Sequence, residues 1–398
     1  MKVGFFGGTF DPVHKGHVIM VEDAIRLGHL DRMLVVPAGR TVHKPADRVS
    51  SAGMRYMMCY MAFTDVRRVE VSRIEVLREH GSYTIDTLRE LKATLTGKDR
   101  LYMVCGADIL FDILHWRSPE AILREIRILA SLRPGHDRIE MESRAHELRK
   151  RFGADITFFE ARQADVSSTA VREAVEHSLA ITEMVPPAVD RFIRMAGLYG
   201  VDDPLESLDL DQQERLRAAE RVLLAHMDPE RLSHSLLTMT TAARLAADHG
   251  QDVYSAALAG LVHDCAKHLP PDDAIRYVDP GDAATLAEPQ LYHGPAGAAL
   301  APAWFGIRDP LVLDAIRYHA TGRSDMTWLD LVLYLADKAE PSRTYLGSDA
   351  VFEQARKDLA GAFLFSCEGL QEHLASRGKT MHPDTNAAIE RLERSQLH

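Results

Sequence analysis

The sequence predicts two domains of different fold class, an α/β doubly wound parallel sheet followed by an all-α domain. Over the first 200 residues, short apolar segments alternate with amphipathic ones, as in a parallel sheet whose strands are joined by helices. Beyond that point β-branched clusters become rare and apolar residues recur at helical spacing. The length of 398 residues also exceeds that of one ordinary domain.

The first strand is predicted at KVGFFGG (residues 2–8), a short apolar run that ends in two glycines. Helical periodicity follows from His17 to Leu30. Further strands are expected at Arg32–Val36, Val69–Val71, Arg100–Val104, Arg127–Ser131 and Ile156–Phe159. Helices between them are expected at Ala52–Phe63, Thr84–Leu95 and Ser143–Phe152.

The segment GVDDPLESLDLDQQ (200–213) is polar, acidic and interrupted by a proline, as interdomain linkers often are. We therefore expect domains at residues 1–200 and 214–398, joined by an acidic linker at 201–213. Helices of the second domain are expected at Glu214–His226, Ser233–His249, Ser255–Cys265, Pro310–Tyr318, Trp328–Ala339 and Ser348–Ala375.

The composition is that of a packed globular protein, with 46% hydrophobic and 26% charged residues. The four cysteines have no C-x-x-C spacing, which argues against a disulfide framework and favours reduced thiols. No apolar run is long enough for a membrane span, and the first apolar stretch is too short for a signal peptide. These features predict a cytoplasmic protein without a membrane partner, and a homo-oligomer is compatible with them.

The net charge of −11 lies in the second half. Residues 1–200 carry 29 Lys and Arg against 27 Asp and Glu (+2), whereas residues 201–398 carry 18 against 31 (−13). Because binding to a phosphate backbone needs a positive field, the acidic second half argues against duplex nucleic acid as its partner, and no nucleic-acid partner is predicted.

The loop Gly7–His17 reads GGTFDPVHKGH and joins the first predicted strand to a helix. Its glycines allow a phosphate to approach the backbone, and the N-terminus of the helix attracts an anion. His14 and His17 are three residues apart, so both can face the same cleft. The loop therefore predicts a binding site for a polyphosphate anion.

Together with Ser167–Arg172 (SSTAVR), this loop resembles the bacterial nicotinate mononucleotide adenylyltransferase family of H-x-G-H nucleotidyltransferases. The resemblance covers residues 1 to about 200. It includes His43-Lys44, Ser82–Leu88, Gly106-Ala107-Asp108 with Trp116, Leu132–Gly135, Val185-Pro186 and Leu198-Tyr199. Class I aminoacyl-tRNA synthetases also have a paired-histidine loop, but their K-M-S-K-S element is absent here. Pantetheine-phosphate and nicotinamide mononucleotide adenylyltransferases are closer alternatives, and the segment Gly106–Trp116 favours a pyridine nucleotide.

The resemblance implies adenylyl transfer from ATP, accompanied by Mg²⁺, to nicotinate mononucleotide. His14, His17 and Arg172 would be the catalytic side chains. The ATP site would comprise Gly7, Gly8, Thr9, Phe10, His14, His17, Gly106, Asp108, Ser167, Ser168, Thr169 and Arg172. The mononucleotide site would comprise Lys44, Tyr83, Thr84, Asp108, Trp116 and Arg133, with the Trp116 ring stacked on the pyridine. The proline-rich stretch that often precedes the His-Lys pair in the family is replaced here by PAGRTV (37–42).

Histidines and aspartates of the second half form a second pattern. His263 and Asp264 follow an apolar segment, Ala256–Val262, and burying such a pair is costly unless a metal or a partner satisfies it. Imidazole and carboxylate suit Fe, Mn, Zn or Co. The candidate ligands are His234, His263, Asp264, His293, His319 and Asp337, enough for two divalent transition metals that share Asp264.

These residues resemble the HD phosphohydrolase superfamily and, more closely, its bacterial symmetrical diadenosine tetraphosphate hydrolases. The match covers residues 215 to about 390 and includes HDCAK (263–267), YHGPAG (292–297), IRYHATGR (316–323) and ADKAEP (336–341). It implies an HD-type fold in which His234, His263, Asp264 and Asp337 hold one metal, and His293 and His319 hold the second with the catalytic Asp264. Lys267 and Arg323 would bind the polyphosphate.

The whole chain is thus predicted to be a bifunctional enzyme that forms nicotinate adenine dinucleotide and cleaves diadenosine tetraphosphate to two ADP. An alternative is an adenylyltransferase with an HD domain that senses nucleotides without hydrolysing them. A scaffold protein would leave both groups of residues unexplained.

Overall fold

The computed structural model describes residues 1–40, 49–132, 138–162, 164–344 and 347–396. The chain divides into two compact units, Met1–Phe192 and Ile193–His398. The domains expected from the sequence, residues 1–200 and 214–398 with a linker at 201–213, stay a prediction.

The first unit is a six-stranded parallel sheet with helices between its strands. Its strands are β1 (Lys2–Gly8), β2 (Arg32–Pro37), β3 (Val69–Val71), β4 (Arg100–Gly106), β5 (Arg127–Leu132) and β6 (Asp155–Glu160). Its helices are α1 (Lys15–Gly28), α2 (Ala52–Phe63), α3 (Thr84–Thr94), α4 (Ile109–Asp112), α5 (Pro119–Glu125), α6 (Arg138–Phe152) and α7 (Ser168–Glu176). Helix α8 (Pro187–Ala196) contains the boundary between the units.

The strand order is β3-β2-β1-β4-β5-β6, and every neighbouring pair is parallel. Val3 and Phe5 of β1 are buried together with apolar side chains of α3, α5 and α6. The chain order reverses between β1 and β4, and in doubly wound sheets the crevice at the carboxyl ends of two such strands is where ligands bind.

The second unit is helical in its described parts. Its helices are α9 (Leu210–His226), α10 (Pro229–Asp248), α11 (Val253–Val262), α12 (Pro271–Ala274), α13 (Ala283–Leu286), α14 (His293–Phe305), α15 (Pro310–Tyr318), α16 (Trp328–Ala339), α17 (Ser348–Ala355), α18 (Leu359–Ser376) and α19 (Pro383–Gln396). Helix α16 is central, since residues 329–337 are each at most 9% exposed. Gly260 of α11 permits close packing on α10, because a Cβ there would lie 2.8 Å from the Thr238 carbonyl oxygen.

Both predicted fold classes are confirmed, but helix α14 was not predicted and the bounds of several helices differ from the predicted ones. Helix α9 begins at Leu210 rather than Glu214, because the Asp209 side chain caps it by accepting from the Gln212 backbone N–H. The single helix expected at Ser348–Ala375 is two helices, α17 and α18. Asp358 between them has an extended backbone (φ −151°, ψ 104°), which interrupts a helix. Among the described residues, no helix combines the length and apolar character that crossing a membrane requires.

Candidate active sites

The loop between β1 and α1 places two imidazoles at the start of a helix. His14 is the N-cap residue of α1 and is buried. Its ring stacks on that of His17, with 3.7 Å between the ring centroids. The His14 backbone N–H donates to His17 Nδ1 at 3.2 Å. Because Nδ1 accepts, a neutral His17 carries its hydrogen on Nε2 and can donate from there.

The segment at the start of α7 lies against this loop, although about 160 residues separate the two in sequence. The Ser168 hydroxyl donates to the Pro12 carbonyl at 2.8 Å, and Arg172 Nη1 donates to the Asp11 carbonyl at 2.6 Å. The Ser167 side chain caps α7 by accepting from the Ala170 N–H. The two predicted phosphate-binding segments are therefore brought together.

A buried arginine that was not predicted from the sequence connects the loop Gly7–His17, called the phosphate loop after its proposed role, to the end of β2. Arg55 on α2 is 2% exposed. Its guanidinium donates to backbone carbonyls of Thr9 (2.9 Å), Ala38 (2.5 Å) and Gly39 (2.7 Å), and its Nε donates to the Ser50 carbonyl (2.9 Å). An arginine inside the otherwise apolar segment Ala52–Phe63 was the available signal.

The residues expected to bind the mononucleotide lie near the carboxyl ends of β2 and β4. Tyr83 is the N-cap residue of α3, which begins at Thr84, and Asp108 follows β4. Trp116 is partly buried against the core of the first unit, so part of its ring area is committed to packing. The Arg117 guanidinium lies 4.7 Å from the Tyr83 ring centroid and adds a cation beside this group. Lys44 and Arg133 lie outside the described residues.

A glycine and a buried carboxyl group shape the wall beside Tyr83. Gly39 fits only as glycine, because a Cβ there would lie 2.1 Å from the Glu75 carbonyl oxygen. The Gly39 N–H donates to Ser82 Oγ at 3.2 Å, and Thr87 Oγ1 donates to Glu75 Oε1 at 2.5 Å. Burial raises the pKa of Glu75 although its hydrogen bonds with the Thr87 and Ser82 side chains favour the charged carboxylate. The end of β2 is thus fixed beside the N-terminus of α3.

The six predicted metal ligands of the second unit converge from five helices or helix ends. One group joins His234 Nε2 to His263 Nε2 (3.2 Å) and to Asp337 Oδ1 (3.1 Å). A second joins His293 Nε2 to His319 Nε2 (3.0 Å) and to Asp264 Oδ1 (3.2 Å). Asp264 also lies 3.8 Å from His263 Nε2 and 4.0 Å from His234 Nε2, so it belongs to both groups.

All four imidazoles are oriented by an acceptor at Nδ1. For three of them the acceptor is the backbone carbonyl three residues earlier, at 2.7–2.8 Å: Gly260 for His263, Gln290 for His293 and Ile316 for His319. For His234 the acceptor is Oε1 of Glu340, at 3.2 Å. With the hydrogen on Nδ1, a neutral imidazole turns its Nε2 lone pair toward the cluster, as metal-binding histidines require. These donors therefore fit a pair of divalent transition metals. Sequence reasoning missed Glu340, which is buried three residues after Asp337.

The ionisation of the cluster suits a cation. Burial opposes ionisation of Asp264, but His263 and hydrogen bonds with His293 and His319 hold its pKa well below the ordinary value. Burial lowers the pKa of His263 to about 3 and also lowers that of His293. Burial likewise opposes protonation of His234, yet its hydrogen bonds to Asp337 and Glu340 prevail and raise its pKa. At neutral pH the site thus offers carboxylates together with neutral imidazoles at His263 and His293, which are metal-binding forms.

The two predicted polyphosphate-binding cations have different surroundings. Lys267 Nζ lies 3.5 Å from Asp264 Oδ1 and 3.3 Å from His293 Nε2, at the cluster. Arg323 is held by two carboxylates, donating to Asp330 Oδ2 at 2.9 Å and to Asp314 Oδ2 at 2.8 Å. The Arg323 guanidinium is therefore bound by two carboxylates that are not among the candidate metal ligands.

A third group of candidate ligands, Asp282, His382 and Asp384, is only partly buried and has its ligand atoms within 4.8 Å of one another. Asp282 Oδ1 lies 4.0 Å from Nε2 of His382, whereas Asp384 Oδ2 lies 3.8 Å from its Nδ1, so the two carboxylates face opposite ring nitrogens. The Asp384 N–H donates to Nδ1, and Thr285 Oγ1 lies 3.3 Å from Nε2. His382 therefore connects the start of α19 to α13.

Comparison with known proteins identifies both halves. A cytidylyltransferase-like family model matches residues 5–174, and an HD domain model matches residues 231–342. A probable nicotinate-nucleotide adenylyltransferase of Thermoanaerobacter sp. (strain X514) is 35% identical over 203 residues, which are 51% of this chain and 96% of the relative. A protein of the same description from Moorella thermoacetica is 36% identical over 198 residues, 50% of this chain and 91% of the relative.

A crystal structure from Clostridium acetobutylicum, described as a predicted HD superfamily hydrolase involved in NAD metabolism, is 36% identical and has a TM-score of 0.43. It covers 44% of this chain and 96% of its own. On the evidence of the family models and the two relatives, the chain belongs to the nicotinate-nucleotide adenylyltransferase family through its first half and joins to it an HD domain.

Proposed function

We propose that the chain is a bifunctional enzyme, in which the first unit transfers an adenylyl group from ATP to nicotinate mononucleotide. The observation that carries this is the junction of the His14–His17 loop with the Ser168–Arg172 segment at the carboxyl end of β1. The names of the relatives that match this half support the same reaction.

The reaction needs no protein nucleophile, because the phosphate of the mononucleotide attacks the α-phosphorus of ATP and pyrophosphate leaves. What the protein supplies is in-line positioning and donors to the charge that develops on the phosphates. His17 Nε2 and the Arg172 guanidinium are suited to that task, whereas the Lys15 N–H at the start of α1 already donates to the Met184 carbonyl. Mg²⁺ would accompany ATP as part of the substrate.

The choice of a nicotinate rather than a nicotinamide substrate is assigned to the N-terminus of α3. This helix begins at Thr84, and its first backbone N–H groups are donors for a carboxylate. An amide would present donors of its own to the same groups, and an unmatched buried donor costs about 1–3 kcal/mol. We expect kcat/KM for nicotinate mononucleotide to exceed that for its amide by tenfold or more. Equal values would reduce the assignment to a general pyridine-nucleotide enzyme.

For the second unit we propose symmetrical hydrolysis of diadenosine tetraphosphate to two ADP. His234, His263, Asp264 and Asp337 would hold one divalent metal, and His293 and His319 would hold the other together with Asp264. When bound, such metals polarise phosphate oxygens and activate water. The chain itself supplies a buried set of metal-ligand atoms in fixed orientations. Lys267 lies beside them and would bind phosphate.

The convergence of all six candidate ligands supports hydrolysis over the alternative of a nucleotide-sensing regulatory domain. A domain that only senses nucleotides does not require two complete groups sharing one carboxylate. A scaffold role would leave both groups of buried polar residues without a purpose, although their burial is costly.

Two assays of the purified full chain test these proposals. Nicotinate mononucleotide with ATP and Mg²⁺ should yield nicotinate adenine dinucleotide and pyrophosphate. Diadenosine tetraphosphate with Mn²⁺ or Fe²⁺ in ¹⁸O-water should yield ADP alone, with solvent oxygen in one of the two molecules. Formation of AMP and ATP would refute symmetrical cleavage, and absence of turnover with metal bound would favour the sensing domain.

A further inference from the structure

Two arginines that neither sequence motif includes lie at the boundary between the metal-ligand cluster and solvent. Arg231 Nη1 donates to Asp264 Oδ2 at 3.0 Å, and Arg343 Nη2 donates to Asp337 Oδ1 at 2.6 Å. Their side chains are 30% and 36% exposed, and that of Lys267 is 38% exposed. The two aspartates that they contact are 5% and 13% exposed. The cations therefore extend from the ligand atoms, where Arg343 Nη2 also lies 3.3 Å from His234 Nε2, to the partly exposed side of the cluster.

Each of these cations is positioned by a segment that also supplies a ligand. Arg231 is three residues before His234 on α10, so both side chains leave the same face of the helix. Lys267 is three residues after Asp264. Arg343 follows the end of α16, where its Nε donates to the Asp337 carbonyl at 2.8 Å. Their placement is thus as well determined by the fold as that of the ligands.

The charges of this neighbourhood favour an anion. Three carboxylates, Asp264, Asp337 and Glu340, face four cations, because Lys338 Nζ lies 3.6 Å from Asp337 Oδ2 in addition to the three side chains already named. These seven side chains carry a net charge of +1, and each bound divalent ion would raise that charge by two. This contrasts with the acidic composition of residues 201–398 as a whole.

We infer that Arg231, Lys267 and Arg343 form a phosphate-binding rim, which receives the phosphate chain of a nucleoside polyphosphate on the open side of the cluster. A guanidinium presents five N–H donors in a plane and binds phosphate in a bidentate manner. The inference rests on the proposed hydrolase function. We assign phosphate binding to Arg231 and Arg343 instead of Arg323, because the Arg323 guanidinium is already held by Asp314 and Asp330.

The test measures ligand binding by the Mn²⁺-loaded full chain, so that it does not depend on turnover. Equilibrium dialysis would use labelled ADP, inorganic pyrophosphate and adenosine as probes. We expect ADP to bind also at the loop Gly7–His17 of the first unit. Binding to the Asp264→Ala protein measures this background, which is subtracted from the binding to each other protein. The variants are Arg231→Gln and Arg343→Gln, each with its Lys counterpart. Arg394→Gln is the matched control, since Arg394 is 71% exposed on α19 and is paired with Glu390. Bound manganese is determined for every protein.

We expect each Gln variant to weaken the Asp264-dependent binding of ADP and of pyrophosphate about tenfold or more, the loss typical of one charged hydrogen bond. Lys variants should lose less, and adenosine binding should not change. Pyrophosphate binding as tight as that of ADP would show that the phosphates alone are recognised. Much tighter binding of ADP would show that the rim serves a nucleotide.

The inference is refuted if ADP affinity is unchanged in both Gln variants, if it falls only in proportion to lost manganese, or if Arg394→Gln has the same effect. If a Gln variant does not fold, its Lys counterpart is tested instead. A Lys variant that binds ADP with wild-type affinity and holds the full amount of manganese would also refute the inference. The two proposals can fail separately. If the wild-type chain binds ADP at this site but does not cleave diadenosine tetraphosphate, the phosphate-binding rim is supported and the proposed hydrolase function is refuted.

Discussion

At the scale of single residues, most of the chemistry depends on imidazoles whose tautomer is set by a neighbour. His17 accepts a backbone N–H at Nδ1, whereas the four histidines of the HD domain have an acceptor at that atom. This difference fits the proposed roles of His17 as a donor to phosphate and of the other four histidines as metal ligands.

Replacing His17 by Ala should lower kcat for adenylyl transfer by about a hundredfold or more, which is typical for the loss of one donor that acts in the transition state. The KM for nicotinate mononucleotide should change little, because that substrate is assigned to residues near α3. Steady-state kinetics with each substrate varied in turn would check this. A kcat near that of the wild type would remove His17 from the reaction.

Glu340 is the one carboxylate among the Nδ1 acceptors of the four histidines, and it is 1% exposed. We expect Glu340→Gln to weaken divalent metal binding about 10- to 100-fold, because the amide can still accept from His234 but no longer increases the basicity of the imidazole. Chelator competition with Mn²⁺ would measure the affinity. Glu288→Gln is a suitable control, since Glu288 is a partly exposed surface carboxylate paired with Lys379. Equal metal affinity of the Glu340→Gln protein and the wild type would contradict this role.

At the scale of secondary-structure elements, the candidate site of the first unit depends on how the ends of β1 and β2 are held. Arg55 on α2 donates to carbonyls that follow both strands, and buried carbonyls without a donor are costly. Helix α2 thus fixes the phosphate loop although none of its residues was assigned to the site.

Arg55→Met should destabilise the first unit by about 3 kcal/mol or more, since several buried carbonyls lose their donor at once. Hydrogen exchange of peptides from β1 and β2 in increasing urea would measure this locally, while peptides from α16 serve as an internal reference. Arg55→Lys should be intermediate, because one ammonium group cannot reach every carbonyl. Unchanged exchange of β1 and β2 in Arg55→Met protein would disprove the role.

The elements that sequence patterns predicted best are those with a strong period. Helices Ala52–Phe63, Pro310–Tyr318 and Trp328–Ala339 have the predicted bounds, and the strands after β1 agree within two residues. Helix α14 was missed because HGPAGAALAPAWF is small, apolar on all sides and contains Pro302, so it has no amphipathic period. The break between α17 and α18 was missed because periodicity continues across Asp358.

The candidate sites show the same limit. Residues of chemically distinctive type in a motif, such as His263 and Asp264, could be found from sequence. Arg231, Glu340 and Arg343 could not, because an arginine or glutamate is most often a solvated surface residue. Arg55 differs from these three, since its place in an apolar segment was a signal that could have been used. Only contacts between elements distant in sequence, such as α10 with the segment after α16, give these side chains a function.

At the scale of the whole molecule, the proposed functions assign a different kind of anion binding to each of the two units. In the first unit, in a nearly neutral half of the chain, the proposed donors are His17 and Arg172. In the second, in a half of net charge −13, they are metal ions and basic side chains held by carboxylates. Each candidate site is built entirely from residues of its own unit. We therefore expect that each proposed activity can be removed without loss of the other.

The most direct test is to assay wild-type, His17→Ala and Asp264→Ala proteins for both reactions side by side, with Asp264→Asn added to preserve side-chain volume. We expect His17→Ala to lose dinucleotide synthesis and retain tetraphosphate hydrolysis. Both Asp264 variants should lose hydrolysis and bound metal and retain synthesis at the wild-type rate. Hydrolysis that persists without Asp264, or a single substitution that abolishes both reactions in a folded protein, would contradict the claim of two independent active sites.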